Sequence, residues 1–258
     1  MAADFRTALT EAYCEQPCQV LPNALWKTLA ELEGLDCIFC REGGSVSHLE
    51  ISGPGKMLLS WDKDRSRLPA PAEKLADKNL ALVHQDYVQA IPERLFASRA
   101  SFYRLKHQGF RPEARPEASI IRAVRLPDEL DRVADFLNRC YPGMRMTPQT
   151  VLSWTRHLVY DPRLWIWIES ETGQVAGLGI AEFDASIREG SLEWIQVLPA
   201  FRRQGFGRRI VCELLWRLDQ KADFTTVSGR KADDSGAERL YRSCGFEGND
   251  IWWALRNP

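Results

Sequence analysis

The most regular stretch of the chain follows Gly207, where Ile210, Val211, Leu214, Leu215 and Leu218 recur at spacings that put them on one face of a helix. Ahead of it, the apolar and aromatic runs Trp165 to Glu169, Val175 to Phe183 and Ser191 to Val197 read as antiparallel strands. Glu171-Thr172-Gly173-Gln174 supplies the turn between the first two. Further upstream the pattern predicts a strand over Ser119 to Val124 and a helix over Asp128 to Asn138 after Pro127. A second helix is expected over Pro148 to Leu158 with Thr147 as its N-cap. Downstream come a strand at Phe224 to Ser228, a helix at Ser235 to Cys244 and a last strand at Ile251 to Leu255. Strands and helices so interleaved predict a mixed α/β fold, one sheet flanked by helices.

The first half is patterned less clearly. Asn23 to Leu32 suits an amphipathic helix, Val46 to Ile51 and Lys56 to Trp61 form a hairpin across Ser52-Gly53-Pro54-Gly55, and Asn79 to His84 is another strand. This describes an N-terminal α+β domain. Between the halves, Gly109-Phe110-Arg111-Pro112-Glu113-Ala114-Arg115-Pro116-Glu117 repeats Arg-Pro-Glu, and each proline removes a backbone donor and drives its predecessor out of the helical region. A linker there divides the chain into residues 1–115 and 116–258.

Composition narrows the class. The chain is 45% hydrophobic and 27% charged with 9 Trp, enough apolar material for a real core. Its 34 Lys and Arg against 35 Asp and Glu leave no cationic field for a phosphate backbone, so nucleic acid is not expected as a partner. The start Met1-Ala2-Ala3-Asp4-Phe5-Arg6 has no basic stretch leading into an apolar run, and no uninterrupted apolar segment is long enough to span a bilayer. A cytoplasmic protein without membrane contact is expected. The odd set Cys14, Cys18, Cys37, Cys40, Cys140, Cys212 and Cys244 does not suggest a secreted disulfide framework.

Candidate chemistry sits between the strand ending at Val197 and the periodic helix. Leu198-Pro199-Ala200-Phe201 leads into Arg202-Arg203-Gln204-Gly205-Phe206-Gly207. Free N–H groups and the positive dipole end at a helix start suit an anion, and glycines let phosphate oxygens approach the backbone. Each charge-to-dipole contact is worth about 0.3 to 1 kcal/mol, so several amides must converge. Arg202, Arg203, Arg208 and Arg209 offer cationic partners. No G-x-G-x-x-G follows the strand and no Gly-Lys-Ser/Thr ends the loop, which disfavours dinucleotide and P-loop sites.

The run Glu193 to Gly207 resembles the signature strand, V-x-P turn and R-x-x-G-x-G loop of the GCN5-related N-acetyltransferase (GNAT) superfamily. Ala237-Glu238-Arg239-Leu240-Tyr241-Arg242-Ser243-Cys244-Gly245-Phe246 is similar to that family's late A-x-x-x-Y-x-x-x-G-F helix and turn. The resemblance covers roughly residues 118 to 258 and implies a sheet splayed open beside Val197, holding acetyl-CoA. By that similarity backbone groups of Ile195 and Val197 pair with the pantetheine arm, amides of Gln204, Gly205, Phe206, Gly207 and Arg208 hold the pyrophosphate, and Gln196, Arg202 and Arg203 complete the cofactor-binding set.

The implied reaction is attack of a neutral amine on a thioester carbonyl. Tyr241 occupies the family's general-acid position; a phenol is a weaker acid than a thiol, so its proton transfer is uphill by about 2 kcal/mol in water and needs a desolvated cleft. Glu193 is the candidate base, since alternation puts it on one face with Ile195 and Val197 unless a β-bulge intervenes; a water relay is the alternative. Asp234 stands where relatives carry an asparagine toward the pantetheine, and either it or Ser235 suits a helix cap. The acceptor is a small-molecule or peptide amine that Trp154, Trp165, Trp167 and Trp194 do not distinguish. A catalytically silent acyl-CoA sensor is the rival reading, and a homodimer is compatible with both.

Two features of the first half invite function. Cys14-x₃-Cys18 and Cys37-x₂-Cys40 approximate a four-cysteine zinc spacing, but Ile38 and Phe39 read as strand core and no glycine follows Cys40, so no metal is assigned and buried free thiols are expected. Ser101 to Phe110 lines up without gaps on Ala237 to Phe246, with Leu105 in place of Tyr241, suggesting that the first half is a degenerate copy of the acetyltransferase fold. His48, His84, His107 and His157 have no ligand spacing and receive no role.

Overall fold

The computed structural model describes residues 2–65, 72–108, 121–141, 143–232 and 236–257. In chain order the elements are α1 (Ala2–Glu15), α2 (Pro17–Val20), α3 (Leu25–Ala30), β1 (Asp36–Glu42), β2 (Ser45–Gly53), β3 (Lys56–Asp62), β4 (Leu80–His84), α4 (Gln85–Val88), β5 (Ser98–His107), β6 (Ile121–Ala123), α5 (Leu130–Cys140), α6 (Pro148–Trp154), β7 (Trp165–Glu169), β8 (Val175–Asp184), β9 (Glu189–Val197), α7 (Phe206–Leu218), β10 (Phe224–Arg230), α8 (Ala237–Ser243) and β11 (Glu247–Arg256). The class is mixed α/β, as the alternation of strand and helix patterns predicts. The chain divides into two compact units, the first holding residues 1–106, 228–238 and 247–258, the second 107–227 and 239–246. Strand β11, at the C-terminal end of the chain, thus lies in unit 1. The Pro-rich stretch 109–117 lies outside the described residues.

In unit 1 the strand order is β1-β2-β3-β4-β11-β5. Every neighbouring pair is antiparallel except β3 and β4, which pair in parallel through Lys56 with Leu80 and Met57 with Ala81. Helix α1 buries Phe5, Ala8, Leu9, Ala12 and Tyr13, a helical stripe absent from the expectations above. Strand β1 is an edge, bonded only to β2, and alternates: Phe39 meets Phe5 edge-on at 6.4 Å while Ile38 stays 47% exposed. Ile38 is therefore not core. The thiols also differ from expectation, since Cys14 and Cys40 are exposed, Cys37 is half-buried and only Cys18 is buried. No group of three or more His, Cys, Asp or Glu among the described residues is placed to hold a metal ion.

Ser101 to His107 forms strand β5, whereas Ala237 to Ser243 is helical, so the ungapped alignment of the two segments does not reflect equivalent structure. The buried side chain of Arg104 on β5 donates to Tyr13 Oη at 2.8 Å and Ser228 Oγ at 3.1 Å, a tertiary arrangement that local sequence similarity cannot carry.

Unit 2 has the order β10-β9-β8-β7-β6. Its strands are antiparallel up to β9, which runs parallel to β10. Strand alternation sorts the two faces. Trp165 and Trp167 of β7 and Leu178 and Ile180 of β8 pack with Val133, Phe136 and Leu137 of α5 and Val151 of α6. The opposite face carries Ile166, Ile168 and two glycines, and there α7 comes so close that a Cβ on Gly179 would stand 2.4 Å from Ile210. Thr147 caps α6 by accepting from the Thr150 amide at 3.1 Å, as expected, but the helix ends at Trp154 and leaves Leu158 fully exposed. Among the described residues no helix is long and apolar enough to cross a membrane.

Candidate functional site

The site is assembled from β9, the turn after it, α7 and the residues of α8 that belong to unit 2. The ladder between β9 and β10 runs from Glu189 opposite Phe224 to Leu192 opposite Val227, while β9 continues to Val197 against β8. The segment from Glu193 to Val197 therefore extends past the parallel pairing, and this is where an extended amide chain could add itself to a strand edge. Ile195, Gln196 and Val197 all lie on it.

After Val197 a single 3₁₀ turn, Pro199–Phe201, reverses the chain. Arg202 Nε donates to the Val197 carbonyl at 3.1 Å and Gln204 Nε2 to the Ala200 carbonyl at 3.0 Å, so two of the expected binding side chains brace the turn itself. Arg203 and Gly205 take left-handed backbone angles, φ 65° and 85°, and Gly205 is the N-cap of α7 with no side-chain cap bond. The first helical hydrogen bond runs from the Arg209 amide to the Gly205 carbonyl. The amides of Gly205, Phe206, Gly207 and Arg208 thus precede any intrahelical bond and point from the positive end of a helix dipole. Arg202 to Gly205 are exposed, and space beside Gly205 is open within 4 Å of where its Cβ would stand. Phe206 anchors the turn by burying its ring edge-on against Phe201 at 5.9 Å. Uncapped amides at the head of a helix, on an anchored turn with exposed residues before it, can bind an anionic group.

Helix α8 meets the first turn of α7. A Cβ on Gly207 would lie 3.0 Å from Leu240 Cδ2, and Arg208 Nη1 donates to the Ser243 carbonyl. Tyr241 is buried, its ring edge-on to Phe246 at 5.7 Å. The spacing of Tyr241, Gly245 and Phe246 has a structural cause. Gly245, at φ 90°, ends the helix, its amide bonding Arg242 O while the Phe246 amide bonds Tyr241 O; the ring contact completes the Schellman motif. This motif fixes the backbone of Tyr241 irrespective of any chemistry its hydroxyl performs. Asp234 and Ser235 lie outside the described residues.

Glu193 occupies a β-bulge. Trp194 stands opposite Ile180 and Leu192 opposite Ala181, leaving Glu193 as the extra residue. Strict alternation from Ile195 therefore does not place Glu193 on one face with Ile195 and Val197. On the other side of β9, Trp194 stacks on Trp154 at 5.6 Å and meets Tyr141 at 5.9 Å, and Gln196 Nε2 donates to the Tyr141 hydroxyl. Tyr141, 39% exposed, was not anticipated as part of the site; its lone position after α5 gives no periodic signal.

A strand running beyond its parallel neighbour and an uncapped glycine turn at a helix head belong to a fold that solved GNAT acetyltransferases share. Residues 161–248 match the family model described as Acetyltransferase (GNAT) domain, and the C-terminal half of the chain carries that domain. No curated protein matches the chain in sequence. Solved structures share its fold at low identity. A GCN5-related N-acetyltransferase from Sphaerobacter thermophilus aligns with a TM-score of 0.68 and 16% identity over 100% of this chain and 93% of its own. A GNAT-family acetyltransferase from Colwellia psychrerythraea gives 0.64 and 12% over 99% and 97%. A tandem GNAT protein from the clavulanic acid biosynthesis pathway gives 0.58 and 11% over 100% and 95%.

Proposed function

We propose that the chain is an N-acetyltransferase that moves an acetyl group from acetyl-CoA to a primary amine by direct attack within a ternary complex. The reading rests on one observation: uncapped amides at the head of α7 follow directly on a strand that outruns its parallel partner. The residues fit coenzyme A. The amides from Gln204 to Arg208 would hold its pyrophosphate, with the exposed Arg203 within the turn as a cationic partner, and the edge of β9 at Ile195 to Val197 would take the amides of its pantetheine arm. Acetyl-CoA supplies the activated acetyl thioester.

The protein's own residues then have three tasks. Ile195 to Val197 would align the acyl end along the strand, and a held geometry of this kind is a large part of such rate enhancements. Tyr241, on the helix packed against Gly207, would donate its hydroxyl proton to the departing sulfur, a contribution of about 10²- to 10⁴-fold. Glu193, or a water it orients, would take the proton lost by the amine; its place in the bulge turns the local backbone away from regular alternation. The aromatic wall of Tyr141, Trp154 and Trp194 beside this strand favours amines with an apolar or aryl body.

A coenzyme A release assay across an amine library tests the proposal. Saturable turnover with at least one amine is expected. Tight coenzyme A binding with only hydrolysis-level release for every amine would favour a silent acyl-CoA sensor instead.

A further inference from the structure

We propose that Cys212 and Cys244 form a thiol pair oxidised by peroxide to a disulfide, a covalent modification site that joins α7 to the turn after α8. Cys212 follows Arg208 by four residues, so both project from the same face of α7. Arg208 Nη1 binds the Ser243 carbonyl and lies 4.0 Å from Cys244 Sγ. One turn back, Gly207 abuts Leu240. The two segments thus run side by side from Gly207 and Leu240 toward Cys212 and Cys244, with Arg208 bridging from the face that carries Cys212 to the turn that carries Cys244.

The pair is asymmetric in a way that assigns roles. Cys212 is half-buried and Cys244 buried, so a small oxidant reaches Cys212 first. The Cys244 thiol beside it and the Arg208 charge lower the Cys212 thiol against the opposing effect of burial, while Cys212 and burial push Cys244 up. Thiolate character together with partial exposure marks the attacking sulfur. By contrast, burial pushes the Cys140 thiol up to about 11. In the first step the Cys212 thiolate attacks a peroxide oxygen: an S–O bond forms, the O–O bond breaks, and hydroxide leaves and is protonated to water. In the second, Cys244 sulfur attacks the sulfenic sulfur: an S–S bond forms, the S–O bond breaks, and the departing oxygen takes the Cys244 proton as water. Two thiols and one hydrogen peroxide give one disulfide and two waters.

The test treats the reduced full chain with hydrogen peroxide, alkylates the remaining thiols and maps peptides by mass spectrometry, so its outcome does not depend on any transferase activity. The expected product is a peptide pair joined through Cys212 and Cys244, lighter by two hydrogens and reversed by dithiothreitol, formed at least about tenfold faster than the loss of the exposed Cys14 and Cys40 thiols. In Cys244→Ser the reaction should stop at a Cys212 sulfenic acid that dimedone traps, and in Cys212→Ser Cys244 should stay reduced. Consumption of Cys14 and Cys40 ahead of Cys212, or a Cys212 sulfenic acid that persists in the wild-type chain without the cross-link, would overturn the proposal.

Discussion

In unit 1 an antiparallel ladder, β1-β2-β3, ends in a parallel step from β3 to β4, and α4 follows β4 at once. In unit 2 the ladder β6-β7-β8-β9 ends in a parallel step from β9 to β10, and α8 follows β10. Both parallel pairings are short. What differs is the crossover. In unit 2 it passes through the anchored turn at Gly205 and the long helix α7; in unit 1, among the described residues between Asp62 and Leu80, it contains only the 3₁₀ turn Ala72–Leu75. A single 3₁₀ turn offers no aligned dipole and no row of amides like that at the head of α7. The helices after the two steps also use tyrosine differently. Tyr87 of α4 donates its hydroxyl to the Asp62 carbonyl at 3.2 Å, at the end of β3, while Tyr241 of α8 sits in the Schellman turn beside α7. Unit 1 thus repeats the antiparallel ladder and its closing parallel step, and among its described residues the crossover carries no helix like α7. The lesson is that a sheet can recur without the connection on which the proposed site rests.

The contrast can be broken most sharply at the two tyrosines. Tyr241→Phe should lower turnover by about 10²- to 10⁴-fold while leaving coenzyme A affinity near wild type, read from steady-state kinetics beside calorimetry. Unchanged turnover would remove Tyr241 from the reaction. At the two glycine turns, Gly205→Val forces a β-branched residue to φ 85° and should weaken coenzyme A binding by about 100-fold, or about 2.7 kcal/mol. Gly55→Val, strained in the same sense at φ 69° in the β2–β3 hairpin, should lower the melting temperature and leave coenzyme A affinity unchanged. Equal affinity losses in both variants would dissolve the distinction between the units.

Smaller effects concern what holds each unit together. In unit 2, Glu129 receives the Arg122 guanidinium at 2.8 and 2.9 Å, the Arg125 amide at 2.8 Å and Trp167 Nε1 at 3.2 Å. The Arg122 hydrogen bonds hold its carboxyl down at about 2, below the ordinary 4.5, more than offsetting the upward push of burial. A lowered carboxyl stabilises the fold above the unfolded value, and that stability drains away as pH falls through the window from 4.5 to about 2. Glu129→Gln should destabilise by about 2 kcal/mol near neutral pH and flatten this acid limb in denaturant titrations. In unit 1, Tyr87→Phe removes one hydrogen bond and should cost about 1 kcal/mol with turnover unchanged.

Unit 2 was largely legible because its periodicities are strong. The stripe from Ile210 to Leu218 is buried throughout, β7 spans the expected Trp165 to Glu169, and the strand-turn-helix context of Gly205 is as anticipated. Other features depend on partners that the sequence does not name. The bulge at Glu193 exists only in register with Ile180 and Ala181 of β8, so alternation along β9 could not reveal it. Strand β5 buries Tyr103, Arg104 and Leu105 in succession, which erases the period of two and left its resemblance to a helix segment unopposed. Helix α1, in contrast, carries a stripe at Phe5, Ala8, Leu9, Ala12 and Tyr13 whose helical spacing is legible in the sequence.

The central claim is that one connection, the turn from Val197 into α7, binds a pyrophosphate, and that its counterpart in unit 1 does not. Titration calorimetry of coenzyme A into the full chain tests it most directly. The account predicts saturable heat with one site per chain, abolished or much weakened in Gly205→Val; no heat, or two equivalent sites per chain, would contradict it.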